Sequence, residues 1–96
     1  MAGERGTAKK AKPTVSDRRK ARAAYLDDFG VRLREARQAA GLTQEDLGEV
    51  ADLDPRVVRY SEAGEREPGI YTLVCLARGL GVAPGDLLPS ARRRGR

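Results

Sequence analysis

The side chains that most often do chemistry at neutral pH are nearly missing from this chain. Its 96 residues include no histidine and one cysteine, Cys75. Without an imidazole no Ser-His-Asp or Cys-His pair can be assembled, and one thiol cannot supply the tetrahedral ligand set of a zinc site. No nucleophile–base pair and no paired acid site can be named, so there is no foothold for catalysis, no metal site, and no cofactor is expected. A lone cysteine forms no internal disulfide, which suits a reducing compartment. At its position among apolar residues Cys75 reads as a small core hydrophobe rather than a redox sensor.

What the chain does carry is charge, and its distribution is uneven. Lysine and arginine number 19 against 14 acids, a net +5. Residues 1–22 hold eight basic side chains and two acids, hence +6; residues 90–96 add four arginines, hence +4; residues 23–89 hold seven arginines and twelve acids, hence −5. The basic character therefore lies in two tails around an acidic middle. Both tails are rich in small or polar residues and poor in large apolar ones, so each is expected to be a basic arm without fixed structure until bound. No apolar run approaches the roughly 20 residues needed to cross a bilayer. The amino-terminal stretch also lacks the hydrophobic middle of a signal peptide. A cytoplasmic chain with one small domain and no membrane association is the expectation.

The elements that must position these charges are short helices. Leu26, Phe29, Leu33, Ala36 and Ala40 recur at three- and four-residue steps, marking one face of a helix that ends at Gly41. Thr14 and Asp17 could form a capping box after Pro13 and start the helix early, but between Val15 and Tyr25 no large apolar residue recurs at helical spacing, so a start near residue 23 is the favoured of the two expectations. Thr43 and Asp46 form a Thr-x-x-acid box before a second helix with Leu47 and Ala51 inward. Asp54 caps a third helix with Pro55 at its first position, running to about Glu62. Ile70, Leu73, Ala77 and Leu80 mark a fourth, closed by Gly81, and residues 84–88 form a last turn or a fifth short helix. No period-2 run enriched in β-branched or aromatic residues is present. The fold class is all-α, with four or five short helices.

The arrangement resembles the phage-repressor and Cro-type (XRE-like) helix-turn-helix family. The resemblance is carried by Leu33-Arg34-Glu35-Ala36-Arg37, by Gly41-Leu42-Thr43-Gln44-Glu45-Asp46-Leu47, by Glu62-Ala63-Gly64 and by the stretch from Leu73 to Leu88. It implies a lambda-repressor-like domain over residues 23–89, a bihelical unit over 44–63 and a recognition helix over about 54–62. The inward positions of that unit fall on Leu47, Ala51, Leu53 and Val58, and its close helix crossing on Gly48. Two positions depart from the pattern. The turn position usually held by glycine is Asp52, and the last inward position, commonly large and apolar, is Ser61. Tyr60 either turns inward to fill that gap or faces DNA. The resemblance also pairs Arg37 with Glu62 as a buried, structural ion pair.

In such a fold the recognition helix enters the major groove amino-end first and the preceding helix crosses the phosphates. That places Thr43 and Gln44 at the phosphate backbone and makes Arg56 the leading base reader, since arginine grips guanine through O6 and N7. Arg59 and Tyr60 lie one turn further on, with base or phosphate within reach. Pro55 has no donor and offers at most an apolar contact to a thymine methyl, and Arg66 meets phosphate from the following loop. Asp52 and Asp54 would be repelled by the backbone unless engaged in caps. The family implies a homodimer, for which Tyr71 and the Leu87-Leu88 pair are seam candidates if they do not close the core. Two functions follow from different classes. One is a sequence-specific regulator whose partner is double-stranded DNA, favoured by Arg56, Arg59 and the basic tails. The other is an antitoxin-like or polymerase-associated interaction module whose partner is a protein. The acidic middle and the scarcity of amide and hydroxyl readers on the third helix favour the second.

Overall fold

Side-chain caps open the first three α-helices among the described residues. A computed structural model describes residues 11–89, and within it four α-helices and one 3-10 turn follow in order. These are α1 (Val15–Ala39), α2 (Gln44–Ala51), α3 (Pro55–Glu62), α4 (Ile70–Leu80) and the 3-10 turn Pro84–Leu87. Thr43 accepts the Asp46 N–H at 2.9 Å while the Asp46 carboxylate accepts the Thr43 N–H at 3.0 Å, so two otherwise unpaired donors of α2 are satisfied reciprocally. α3 starts from Asp54 with Pro55 at its first position, where the missing N–H costs nothing. α1 closes at Gly41 with φ +73°, and the Leu42 N–H returns to the Arg37 carbonyl at 3.1 Å.

α1 begins eight residues before the expected residue 23. A complete capping box of Thr14 and Asp17 opens it at Val15, so residues 15–22 are helical and not an arm without fixed structure. The reason is physical. Arg18, Arg19, Lys20, Ala21, Arg22, Ala23 and Ala24 are all good helix formers. Adding them to a helix already nucleated on the core carries no initiation cost. Apolar periodicity, on which the expectation rested, reports burial and not helicity, and these residues are all exposed. The rest of the amino-terminal segment, residues 1–10, and the tail 90–96 lie outside the described residues.

The core joins Phe29 and Leu33 of α1, Leu47 and Ala51 of α2, Val58 of α3, Cys75, Leu76 and Ala77 of α4, and Leu87. Leu42, Leu53, Leu73, Leu80 and Val82 pack around it, half-buried. The inward positions implied by the resemblance are thus filled, Leu47, Ala51 and Val58 buried and Leu53 half-buried. Three apolar positions assigned to helix faces are not in the core, the first being Leu26, which is half-buried beside it. Ala40 is exposed at the end of α1, and Ile70, at the start of α4, is 82% exposed. Ile70 is the first helical residue and lies outside the stripe that Leu73, Leu76 and Leu80 continue inward. Leu87 closes the core while its neighbour Leu88 stays exposed.

Two glycines set how closely the helices approach. A Cβ on Gly30 would run into the backbone carbonyl of Glu62, and one on Gly48 would lie 2.8 Å from the Leu53 carbonyl oxygen and 3.1 Å from the Pro55 Cα. α1 therefore lies directly on the end of α3, and α2 directly on its start. Between α2 and α3 the turn passes through Asp52 in the left-handed region, φ 59°, a conformation glycine adopts without the Cβ penalty.

Candidate nucleic-acid interface

The end of α3 is anchored through one buried carboxylate. Glu62, its side chain 2% exposed, accepts from Arg37 twice: Nε to Oε2 at 2.6 Å and Nη2 to Oε1 at 3.0 Å. Gln44 Nε2 donates to the same Oε1 at 3.0 Å, and Arg34 Nε approaches it at 3.7 Å. Arg37 spends a further donor, Nη1, on the Leu42 carbonyl at 2.8 Å. Hydrogen bonding to Glu62 raises the Arg37 pKa above its ordinary value. One carboxylate thus ties α1, the α1–α2 turn, the start of α2 and the end of α3 into one unit. A two-sided guanidinium fork of this kind fixes geometry as well as charge.

The other end of α3 presents an arginine held by its own cap. Asp54 Oδ1 accepts the Arg56 backbone N–H at 2.9 Å, and the carboxylate also takes the Arg56 side chain, Nη2 to Oδ2 at 2.7 Å and Nε to Oδ1 at 3.2 Å. Both side chains are solvent-accessible. The Arg56 side-chain and backbone hydrogen bonds hold the Asp54 carboxyl down at about 2, and the same pairing raises the Arg56 pKa. With Nε and one edge of Nη2 turned to Asp54, the far edge of the fork, Nη1 and the second Nη2 hydrogen, remains available for an acceptor pair outside the protein.

Tyr60 does not turn inward to fill the space at Ser61. It stays on the outer flank of α3 with the Arg59 guanidinium 5.2 Å and the Arg66 guanidinium 4.8 Å from its ring centre, both within cation–π range. Ser61 is itself buried, and its hydroxyl has no hydrogen-bond partner. Asp54, Arg56, Val57, Tyr60 and Arg66 line an open cleft of about 390 Å³ along the exposed side of α3.

The sequence profile of the helix-turn-helix family matches residues 33–87. The chain belongs to this family. Among solved helix-turn-helix structures it is similar to the restriction-modification controller protein C.AhdI from Aeromonas hydrophila. The two are 40% identical over 66% of this chain and 96% of that one, with a TM-score of 0.64. It is similar also to the clp gene regulator ClgR from Corynebacterium glutamicum, at 26% identity over 65% and 66% of the two chains and a TM-score of 0.61. A third likeness is to the wild-type restriction-modification controller protein C.Esp1396I, at 27% identity over 65% and 82% and a TM-score of 0.60. No curated protein sequence matches. The family match opens at Leu33, late in α1, so residues 15–32 of that helix lie outside it.

Within the helix-turn-helix unit, the residues singled out from sequence fall into two groups. Arg56, Tyr60 and Arg66 share one cleft, and Arg59 joins them through the tyrosine ring. Thr43 and Gln44 sit apart at the start of α2. There Thr43 spends its oxygen on the Asp46 cap, and Gln44 is half-buried, its amide nitrogen committed to Glu62. Gln44 is therefore in the first place a link between helices. Pro55 is half-buried where α3 meets Gly48. Sequence gives Asp54 as a cap and a source of phosphate repulsion but not its grip on Arg56, although Asp and Arg two residues apart at a helix start carry the signal. Arg34 and the role of Glu62 as a shared acceptor were also missed. No periodicity encodes them, because they arise where α1 crosses α3.

Proposed function

We propose that this helix-turn-helix chain binds double-stranded DNA by sequence and regulates transcription, with α3 as the recognition helix. The observation that carries the reading is the pre-oriented Arg56 fork at the amino end of α3, beside an open cleft rimmed by Arg66. An α-helix entering the major groove leads with its first turn. There Arg56 meets guanine O6 and N7, and Pro55 offers an apolar edge to a thymine methyl. Arg59 and Arg66 meet phosphates, with the Tyr60 ring keeping both guanidinium groups on that flank. Thr43 and Gln44 bring the first-turn N–H groups of α2 to a phosphate. The acidic balance of residues 23–89 keeps the domain from holding every duplex equally.

The chain reads DNA as a homodimer, with two α3 helices about one helical turn apart on a twofold site. Support comes from Ile70, 82% exposed, and Tyr71, 74% exposed, adjacent at the start of α4, where apolar surface is otherwise left in water. Sedimentation of the wild-type chain should give a dimer and Ile70→Glu a monomer.

The reading is tested by Arg56→Ala. Affinity for a selected site should fall about tenfold to a hundredfold while affinity for random duplex stays nearly unchanged. Equal loss on both would remove Arg56 from base recognition.

A further inference from the structure

The first eight residues of α1, well ahead of the family match at Leu33, have their own charge. Residues 15–22 read Val-Ser-Asp-Arg-Arg-Lys-Ala-Arg, four cations against one acid, a net +3 in front of a domain at −5. Arg18, Arg19, Lys20 and Arg22 are all exposed. Asp17 is spent on the cap, where it accepts the Thr14 N–H at 3.1 Å as Thr14 accepts the Asp17 N–H at 2.9 Å. The segment is thus a preformed helix that displays cations at fixed spacing.

It also meets the loop after α3. Arg22 Nε meets Glu67 Oε1 at 2.9 Å. Glu67 follows Arg66, whose guanidinium lies against Tyr60 of α3. This contact places the carboxyl end of the extension beside the loop that follows α3. Eight helical residues span about 12 Å, and a duplex of that length passes roughly three to four phosphates on each strand.

We propose that residues 15–22 of α1 form a rigid phosphate-binding edge that engages the duplex flanking the site read by α3. This rests on the DNA-binding reading of α3 above and extends it to a second surface. The composition selects the partner. Between Val15 and Tyr25 there is no large apolar residue, so the segment has no apolar face to lay into a lipid interface. It equally lacks the aromatic or aliphatic anchors that hold protein partners. A regular polyanion is what a helix with exposed cations around it and no apolar face fits.

The test uses the full chain. The triple variant Arg18→Gln, Arg19→Gln, Lys20→Gln keeps helix-forming side chains and leaves the Arg22–Glu67 contact in place. On a selected site, the slope of log affinity against log salt should become shallower by about two to three. Hydroxyl-radical footprinting should lose protection at the flank, while the base motif selected from a random library stays the same. An unchanged slope and footprint would overturn the proposal. Ala23→Pro keeps every charge but breaks the helix, and its circular dichroism and thermal melt show whether the rest remains folded. It should lose the flanking protection too; a footprint that survives would show that charge alone, without the helix, makes the contact. If the wild type selects no motif, the reading of α3 fails. The edge is then judged separately by the same change of salt slope on random duplex.

Discussion

Asp54 grips Arg56 from two residues away, taking its backbone N–H at 2.9 Å and its Nη2 at 2.7 Å with one carboxylate. The cap that starts α3 therefore also holds the Arg56 guanidinium. The same acid, expected from sequence to repel phosphate unless capped, turns Nε and one edge of Nη2 inward and leaves Nη1 and the other edge of Nη2 facing outward.

Asp54→Asn keeps a competent cap but removes the charge that holds the guanidinium. Random duplex should be bound more tightly, because one negative charge near the phosphates is gone, while discrimination at the base pair met by Arg56 weakens. Competition binding with single-base variants of a selected site measures both. Discrimination that survives the substitution intact would show that Asp54 does no more than cap.

Arg37 and Glu62 carry the packing of α1 on α3. Arg37→Met would leave the buried Glu62 carboxylate with only Gln44 and the distant Arg34, and should cost about 3–5 kcal/mol in urea denaturation. Arg37→Met with Glu62→Leu should recover much of that loss, since a paired apolar replacement leaves no stranded charge. A double variant no more stable than the single would contradict the account of the pair.

Ser61 buries a hydroxyl with no partner. Ser61→Ala removes an unsatisfied group and improves helix propensity, so stability should stay level or rise by up to about 1 kcal/mol. A clear loss on thermal melting would mean that the hydroxyl is bonded after all.

Acid should loosen the fold through its caps. Asp54 is held at about 2 by Arg56, and Asp17 and Asp46 lie below their ordinary value because they accept the backbone N–H groups of Thr14 and Thr43. All three shifts are downward. Their stabilisation is therefore complete above the unfolded carboxylate range near about 4 and is lost as pH falls toward about 2. Melting temperature measured from pH 7 to 2 should drop across that window. Asp46→Asn with Asp54→Asn should flatten the drop, and an equally steep decline in the double variant would count against the caps.

Much of this molecule was legible in its residues, because its helix boundaries are set by local chemistry. Thr43, Asp54-Pro55, Gly41 and Gly81 each mark an end by a hydrogen bond or a backbone angle that no distant contact overrides. The start of α1 was misplaced because burial periodicity was asked to report helicity where nothing is buried. Asp52 shows the reverse case. The fold imposes φ 59° on it, and its type alone would not have demanded that angle. At the site, the types of Arg56 and Arg66 pointed to anions and bases, but their convergence with Tyr60 depends on how the loop after Gly64 folds back. Glu62 was legible as a partner of Arg37 only through family resemblance. Its links to Gln44 and Arg34 exist only once Gly30 lets α1 lie on the end of α3.

The most direct test is to select sequences bound by the full-length chain from a random double-stranded DNA library. The account expects a twofold-symmetric motif with half-sites about one helical turn apart, containing a guanine whose enrichment disappears with Arg56→Ala. Absence of any enriched sequence, with the chain folded and dimeric, would contradict it and turn the helix-turn-helix fold here toward a protein partner.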